Sequence, residues 1–354
     1  MNGFITIDTL YLHIKYPDRD VFDLWHEPVK NVDTRILRDG CVINDMLVRN
    51  GSCGYKVSVW KHDARIYLTD QVDEKCGEGH GMGAWLQLGP KFIIQHINNL
   101  HEAVKDFLDE VGISGNYPIS ITRLDIAVDM LGVSINNQNI NDWSKYWVGR
   151  SKLSGIFLNS RTGLLETFYI GSRKSPVFLR IYDKVAQAKN EGDYEYWLDV
   201  WEGFKDPVTR VEWEIKPKAG NFSEDLTNFS LFNGLSVREL LNYLLNWGRL
   251  CKPDQNDTNN RRWKDSAFWA DLRALVEAWR KDIDWPTSRL GKEFHGITDA
   301  YVKFVSGTIS GAMARFESSD PSFMNLFTNL DDCGEPLEKI IRKAKSKAEI
   351  IKRI

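Results

Sequence analysis

Cysteine is scarce in this chain: Cys41, Cys53, Cys76, Cys251 and Cys333 are five in 354 residues, widely scattered and without a C-x-x-C spacing. That excludes a disulfide framework and a thiolate zinc site, and leaves reduced, structural thiols. Long hydrophobic runs are missing too, so no segment is predicted to span a bilayer. The N-terminus, MNGFITIDTLYLHIKYPDRD, lacks the basic start and apolar run of a secretory signal, and the expected location is the cytoplasm. An excess of positive charge is also absent. The formal net charge of −3 excludes a protein that coats nucleic acid by bulk electrostatics, so any such binding must use local basic patches.

What is present is the composition of a globular protein, 42% hydrophobic and 27% charged, long enough for one large or two ordinary domains. Alternation predicts strands over Thr9–Ile14, Tyr55–Trp60, Arg65–Thr69 and Trp85–Leu88, the last preceded by the glycine-rich loop Gly77–Gly83. Helical spacing of Ile93, Ile97, Leu100, Val104, Phe107 and Val111 predicts one helix from Pro90 to Val111, closed by Gly112. Strands follow over Ile119–Met130, Gly155–Leu158, Glu166–Ile170, Val177–Asp183 and Thr209–Lys216, with helical segments at Asn141–Val148 and Tyr194–Trp201. The mixed order predicts an α+β fold: a largely antiparallel central sheet with flanking helices, plus a mostly helical C-terminal part with helices at Val237–Leu250, Phe268–Trp279 and Glu335–Ile354. The boundary falls near Gly220–Glu224, giving a domain over 1–220 and a helical region over 221–354.

Residues of equal parity in a strand share a face. ITRLDIAVDM therefore sets Arg123, Asp125 and Asp129 opposite Leu124, Ile126 and Val128, and VFLRIYDK sets Arg180, Tyr182 and Lys184 opposite Val177, Leu179 and Ile181. RVEWEIK repeats the split, with Arg210, Glu212, Glu214 and Lys216 opposite Val211, Trp213 and Ile215. If the three strands adjoin, their polar faces make a site. Carboxylates suit Mg²⁺ or Mn²⁺, and such an ion polarises a phosphodiester oxygen while arginine and lysine neutralise charge at phosphorus. Asp125, Glu212, Glu214 and Asp129 are the candidate metal ligands, Asp129 the least secure because its strand-end position also suits a cap. Tyr182 is the candidate nucleophile with Arg180 and Lys184 beside it: a phenol, with a pKa of about 10, both attacks when activated and leaves well enough for a strand to be rejoined.

The turn GSRKS adds Ser172, Arg173 and Lys174, and from Arg161 to Lys184 there are five basic and two acidic residues. This is the local basic patch that the overall charge requires. With Arg123 and Arg210, these three residues are the candidate DNA and phosphate contacts.

At TRLDIAVD, YIGSRKSPVFLRIYDK and TRVEWEIK, in that order from Thr122 to Lys216, the sequence resembles the replication initiation factor family. These are rolling-circle initiators of small plasmids, with related relaxases and phage replication proteins. The resemblance covers about a quarter of the chain. It implies a metal-dependent nickase that cuts and closes one DNA strand at an origin, with Tyr182 linked covalently to the 5′ phosphate and Asp125 with Glu212 or Glu214 holding the ion. It further implies that the free 3′ hydroxyl primes synthesis, that a host helicase unwinds the displaced strand, and that the protein is a homodimer. The histidine–hydrophobe–histidine pair of the other large class of rolling-circle nucleases is absent among His13, His26, His62, His80, His96, His101 and His295, which fits carboxylate ligation.

Blander assignments compete at each position. Tyr182 has a rival in Tyr169, one strand earlier, which lacks a cation two residues away on either side. The four acids taken singly more often form structural ion pairs with arginine. His80, the RRWK segment Arg261–Lys264 and most of the thirteen tryptophans are assigned to loop, helix entry and packing. The last helix carries seven basic and three acidic residues, which suits DNA, a partner or solvent alike. A conjugative relaxase would use identical chemistry. A non-cleaving DNA-binding regulator would use the acids structurally, and a metal-dependent phosphodiesterase would use water.

Overall fold

In the computed structural model, which describes residues 3–15, 20–70, 82–137 and 140–282, the alternating segments join into one eleven-stranded antiparallel sheet. Its strands are β1 (Gly3–Ile14), β2 (Cys41–Ile43), β3 (Met46–Asn50), β4 (Val57–Lys61), β5 (Ala64–Leu68) and β6 (Ala84–Leu88), then β7 (Ile119–Leu131). A short strand β8 (Trp147–Gly149) precedes β9 (Ser154–Leu158), β10 (Leu165–Ile170), β11 (Val177–Asp183), β12 (Val208–Ile215) and β13 (Gly248–Leu250). The order across the sheet is β2-β3-β4-β5-β6-β1-β7-β12-β11-β10-β9, and β8 pairs with β13 separately. The long strands β1 and β7 lie side by side at the middle, paired from Gly3↔Met130 to Ile14↔Ile119.

One face of this sheet is the core. Val48, Val59, Ile66, Leu86, Leu10, Leu124, Ile126, Val211, Trp213 and Leu179 are all fully buried, as expected for the apolar parity of each strand. Beneath β4 lies the helix Asp20–His26, whose Trp25 indole donates to the Val111 carbonyl at 2.8 Å. The helix Leu100–Val111 presents Val104, Phe107 and Leu108 inward and ends in left-handed Gly112. Under β1 and β12 the helix Ala267–Asp282 places Trp269 edge-on to Trp213, centroids 6.4 Å apart.

The expected fold class is the observed one. Three helices differ in detail. The Pro90–Val111 segment breaks into Pro90–Gln95 and Leu100–Val111, because Asn98 and Asn99 are poor interior helix formers and Ile97, counted as core by its spacing, is 52% exposed. The Asn141–Val148 and Val237–Leu250 helices each stop early, at Tyr146 and Trp247, and their last residues pair as β8 and β13. Gly248 permits that pairing: a Cβ there would lie 2.1 Å from the Trp147 ring. Strands β2 and β3 and the helices Asp20–His26, Thr34–Asp39 and Lys184–Glu191 were not expected. The helices Gly234–Trp247 and Ala267–Asp282 belong to the same compact unit as the sheet. The expected Glu335–Ile354 helix and the Gly77–Gly83 loop, with His80, fall outside the described residues, apart from Met82 and Gly83 of that loop.

Trp213 is fully buried, and its indole N–H has no hydrogen-bond partner. Trp213→Ala is expected to cost about 3–5 kcal/mol through the cavity it leaves, read as a lowered urea midpoint. Trp213→Phe should cost much less, because it keeps most of the ring volume and deletes an unpartnered donor.

Candidate functional site: a buried tyrosine–carboxylate pair at a cavity

Strand parity and register together build three rows on the polar face of the sheet. Across β11, β12 and β7 these read Phe178–Glu214–Asp125, then Arg180–Glu212–Ala127, then Tyr182–Arg210–Asp129. The three motif strands are thus neighbours, as the site required. Burial is deeper than amphipathic strands suggest: Asp125, Asp129, Arg210, Glu212 and Glu214 are each no more than 4% exposed, and Tyr182 is 7% exposed. At the third row the cause is the helix pair Lys184–Glu191 and Tyr194–Val200, which packs over Arg210 and Asp129 with Trp197 and Trp201.

Ionised groups at that depth need partners, and each has one. Arg210 donates to Asp129 through Nε (2.6 Å) and Nη2 (2.7 Å) and to Asp8 through Nη1 (2.5 Å), while its guanidinium lies 4.2 Å from the centre of the Trp197 ring. Trp201 Nε1 donates to the second Asp129 oxygen at 2.9 Å. Asp125 accepts from Arg123 Nε and Nη2 (2.8 and 2.5 Å), and Arg123 also lies 3.1 Å from Glu214, itself 3.2 Å from Lys216 Nζ. Glu212 takes Arg180 on one oxygen and, on the other, the Tyr182 hydroxyl at 2.6 Å.

The third row opens on a cavity of about 570 Å³ lined by Asp8, Glu166, Tyr169, Arg180, Tyr182 and Lys184 among others. Burial, then the Glu212 charge, push the Tyr182 phenol well above its ordinary value, so it stands protonated and donates. Lys184 shifts the other way, to about 8, through burial and then the neighbouring Arg210 charge. Its ammonium donates to Gln187 at 2.6 Å and sits 4.1 Å from the Trp197 ring centre.

Other expected residues sit elsewhere. The turn of Ser172, Arg173 and Lys174 is at the opposite end of β11 from Tyr182, roughly 17 Å away at about 3.4 Å per residue, held by Lys216 donating to the Arg173 carbonyl. Arg210, taken from the sequence as a phosphate contact, has no exposed face and is shared between two carboxylates. Tyr169 lines the same cavity, stacked on Phe178 at 5.4 Å. Asp8, which the sequence reading missed, sits at an irregularity between Ile7 and Thr9 in the β1–β7 pairing; an acid in an otherwise apolar and hydroxylated strand, TIDTLYL, was the available signal.

The four expected metal ligands do not fit a divalent ion in this arrangement. Each carboxylate is engaged by a guanidinium, and among the described residues no group of three or more histidine, cysteine, aspartate or glutamate side chains is placed to hold a metal. What the second and third rows offer together is a phenol, Tyr182, hydrogen-bonded to a carboxylate base, Glu212, with Arg180 and Lys184 at the same cavity and space in front.

No family model matches the sequence, and no curated protein does. Among solved structures, the rolling circle replication initiator protein from Geobacillus stearothermophilus is similar over 78% of this chain and 97% of that chain, with 18% sequence identity and a TM-score of 0.46. That overlap is too loose to carry chemistry, which has to come from the side chains above. Among the described residues no helix is long and apolar enough to cross a membrane.

Two consequences concern the buried charges. Asp129→Ala leaves Arg210 underpaired in the interior and is expected to cost about 3–5 kcal/mol, measured by chemical denaturation. Asp125 is pushed up to about 7 by burial, against Arg123 and with the help of Glu212 and Glu214. Because that lies above the unfolded value of about 3.9, the folded state binds the proton more tightly. This contribution is fully present at low pH and is lost as pH rises from about 4 to about 7. Urea titrations of Asp125→Asn should therefore show its stability rising relative to wild type across that window, and parallel curves would contradict the shift.

Proposed function

We propose that this protein is a rolling-circle replication initiator that nicks and closes one DNA strand through a covalent 5′-phosphotyrosine. The observation that carries this reading is the 2.6 Å hydrogen bond from Tyr182 to the buried carboxylate of Glu212 at the wall of an open cavity. It is supported by the order of TRLDIAVD, GSRKS with RIYDK, and TRVEWEIK in the sequence.

In the proposed reaction Tyr182 Oη forms a bond to phosphorus as its proton passes to Glu212, and the bond from phosphorus to the 3′ oxygen breaks. Lys184, at the same cavity and with its pKa lowered to about 8, gives a proton to that oxygen. The reverse sequence closes the nick. Arg180 offsets charge at phosphorus. Glu212 thus acts as base rather than metal ligand, and no step is assigned to Mg²⁺ or Mn²⁺. A host helicase and a second copy of the chain are the further partners this reading proposes. A conjugative relaxase would share every step.

A second reading, a DNA-binding protein that does not cleave, is favoured by one observation: every carboxylate of the three rows is already paired inside the protein. The two separate on supercoiled DNA carrying the protein's own origin, incubated with Mg²⁺, with Mn²⁺ or with a chelator, then denatured. The proposed function expects protein attached to a 5′ end, lost in Tyr182→Phe, and nicking about 100-fold slower or worse in Glu212→Gln. No adduct from wild type favours the non-cleaving protein. An adduct that survives Tyr182→Phe moves the link to Tyr169.

A further inference from the structure

The polar face of the sheet does not end at β7. It continues through β1, β6, β5, β4 and β3, where cross-strand pairs Tyr11↔Gln87, Arg65↔Gln87, Tyr67↔Trp85, Trp60↔Arg65 and Arg49↔Ser58 keep one parity. Here its chemistry changes. The residues of this parity in β3 to β6, from Leu47 and Arg49 to Trp85 and Gln87, include no aspartate or glutamate.

Two arginines flank one ring. Arg49 from β3 and Arg65 from β5 lie 4.5 and 4.4 Å from the centre of the half-buried Trp60 ring on the strand between them. Neither guanidinium has a carboxylate partner among the described residues, and Arg49 Nε is buried with no hydrogen-bond acceptor. Asp63, in the turn between β4 and β5, acts on Arg65 through space without an ion pair between them, and two like charges held this close still repel each other, so the pair is complementary to an anion. The indole holds the guanidinium planes in place while leaving their N–H donors for phosphate oxygens.

Beside the arginine pair runs an aromatic bank. Tyr67 and Trp85 lie 5.2 Å apart, Tyr55 lies 6.0 and 6.1 Å from them, and Tyr11 meets Trp85 edge-on at 5.3 Å. Arg123 then covers Tyr11 at 5.0 Å, and Arg123 pairs with Asp125 and Glu214 of the first row of the candidate site. Tyr67 is buried behind the bank, while Tyr11, Tyr55, Trp60 and Trp85 are part-exposed; accessible guanidinium and aromatic groups in alternation bind single strands by pairing with phosphates and stacking on bases, irrespective of sequence. Duplex DNA keeps its bases inside and gains nothing from the aromatic bank.

We infer that this face of β3 to β6 and β1 is a binding track for single-stranded DNA that leads toward Tyr182, with Arg49 and Arg65 gripping phosphate. Six strand spacings of about 4.8 Å separate β4 from β11, roughly 29 Å, so a strand held at Trp60 reaches the cavity within a few nucleotides. The direction toward Tyr182 rests on the proposed function; the binding itself does not.

The test is fluorescence anisotropy of the full chain with a labelled single-stranded oligonucleotide over a range of salt. Arg49→Gln with Arg65→Gln is expected to weaken single-strand binding about tenfold or more and, with two phosphate contacts gone, to flatten the log K against log salt slope by about 1.4. Circular dichroism and the unfolding midpoint report whether the double variant folds. Independently of any variant, photo-crosslinking of wild type to an iodouracil-substituted oligonucleotide should label Tyr55 or Trp85. Wild-type affinity and slope in a folded double variant would overturn the track, as would crosslinks confined to other strands, equal binding of duplex, or a preference for RNA. A protein that binds single strands through Arg49 and Arg65 yet forms no adduct keeps the track and loses the nicking reaction, so the two failures are distinguishable.

Discussion

A guanidinium taken out of water loses several kcal/mol of solvation unless its donors find acceptors, and Arg210 is fully buried. Its acceptors come from two other strands, Asp8 of β1 and Asp129 of β7, and its flat face rests on Trp197 of a helix later in the chain than either. One side chain therefore ties the central strands β1, β7 and β12 to the helix pair that covers them. Asp129 is pinned from the other side by the Trp201 indole. The arrangement is all or nothing: any partner displaced leaves a buried charge short of acceptors, so the register of three strands and the seating of two helices are enforced together.

That rigidity sets the character of the cavity beside it. Tyr182 is next to Arg210 across the β11–β12 pair and hydrogen-bonds to Glu212, which Arg180 holds from the other oxygen. A phenol in this position cannot swing freely, and its proton has one acceptor. Burial raises its pKa and the carboxylate raises it further, so the tyrosine is unreactive until something approaches that favours charge at its oxygen. Arg180 and Lys184 stand at the same wall, among the carboxylates of Asp8, Asp63, Glu166, Asp183, Glu191 and Asp193, so charge forming at the phenol oxygen would have cations beside it and acids around it.

How much of this was legible in the sequence follows from what strand parity does and does not encode. Period-two alternation in ITRLDIAVDM, VFLRIYDK and RVEWEIK gave the strands, their buried faces and the fact that Asp125, Tyr182 and Glu212 lie on one side. It said nothing about register. Whether Glu212 faces Arg180 or Asp125 cannot be read from parity, and the pairing places it between Arg180 and Ala127. The cationic turn failed for a related reason: Arg173 and Lys174 are close to Tyr182 in sequence, but an extended strand places them at its far end. Asp8 stood out only as an acid in an otherwise apolar and hydroxylated strand, because its partner is some two hundred residues away. The short strands β2 and β3 and the six-residue helix Thr34–Asp39 carry too few residues for periodicity to declare itself.

The distribution of charge over the polar face also reconciles a net charge of −3 with an anionic partner. On β7, β11 and β12 the carboxylates Asp125, Asp129, Glu212 and Glu214 outnumber the guanidiniums Arg123, Arg180 and Arg210, and each is held by one of them. On β3 to β5 the carboxylates stop while arginine continues, and indole rather than carboxylate supports it. A ring quadrupole steadies a cation without neutralising it. A protein with this division needs no overall excess of base to attract a phosphate backbone, because what the backbone meets is the potential of one face and not the sum over the chain.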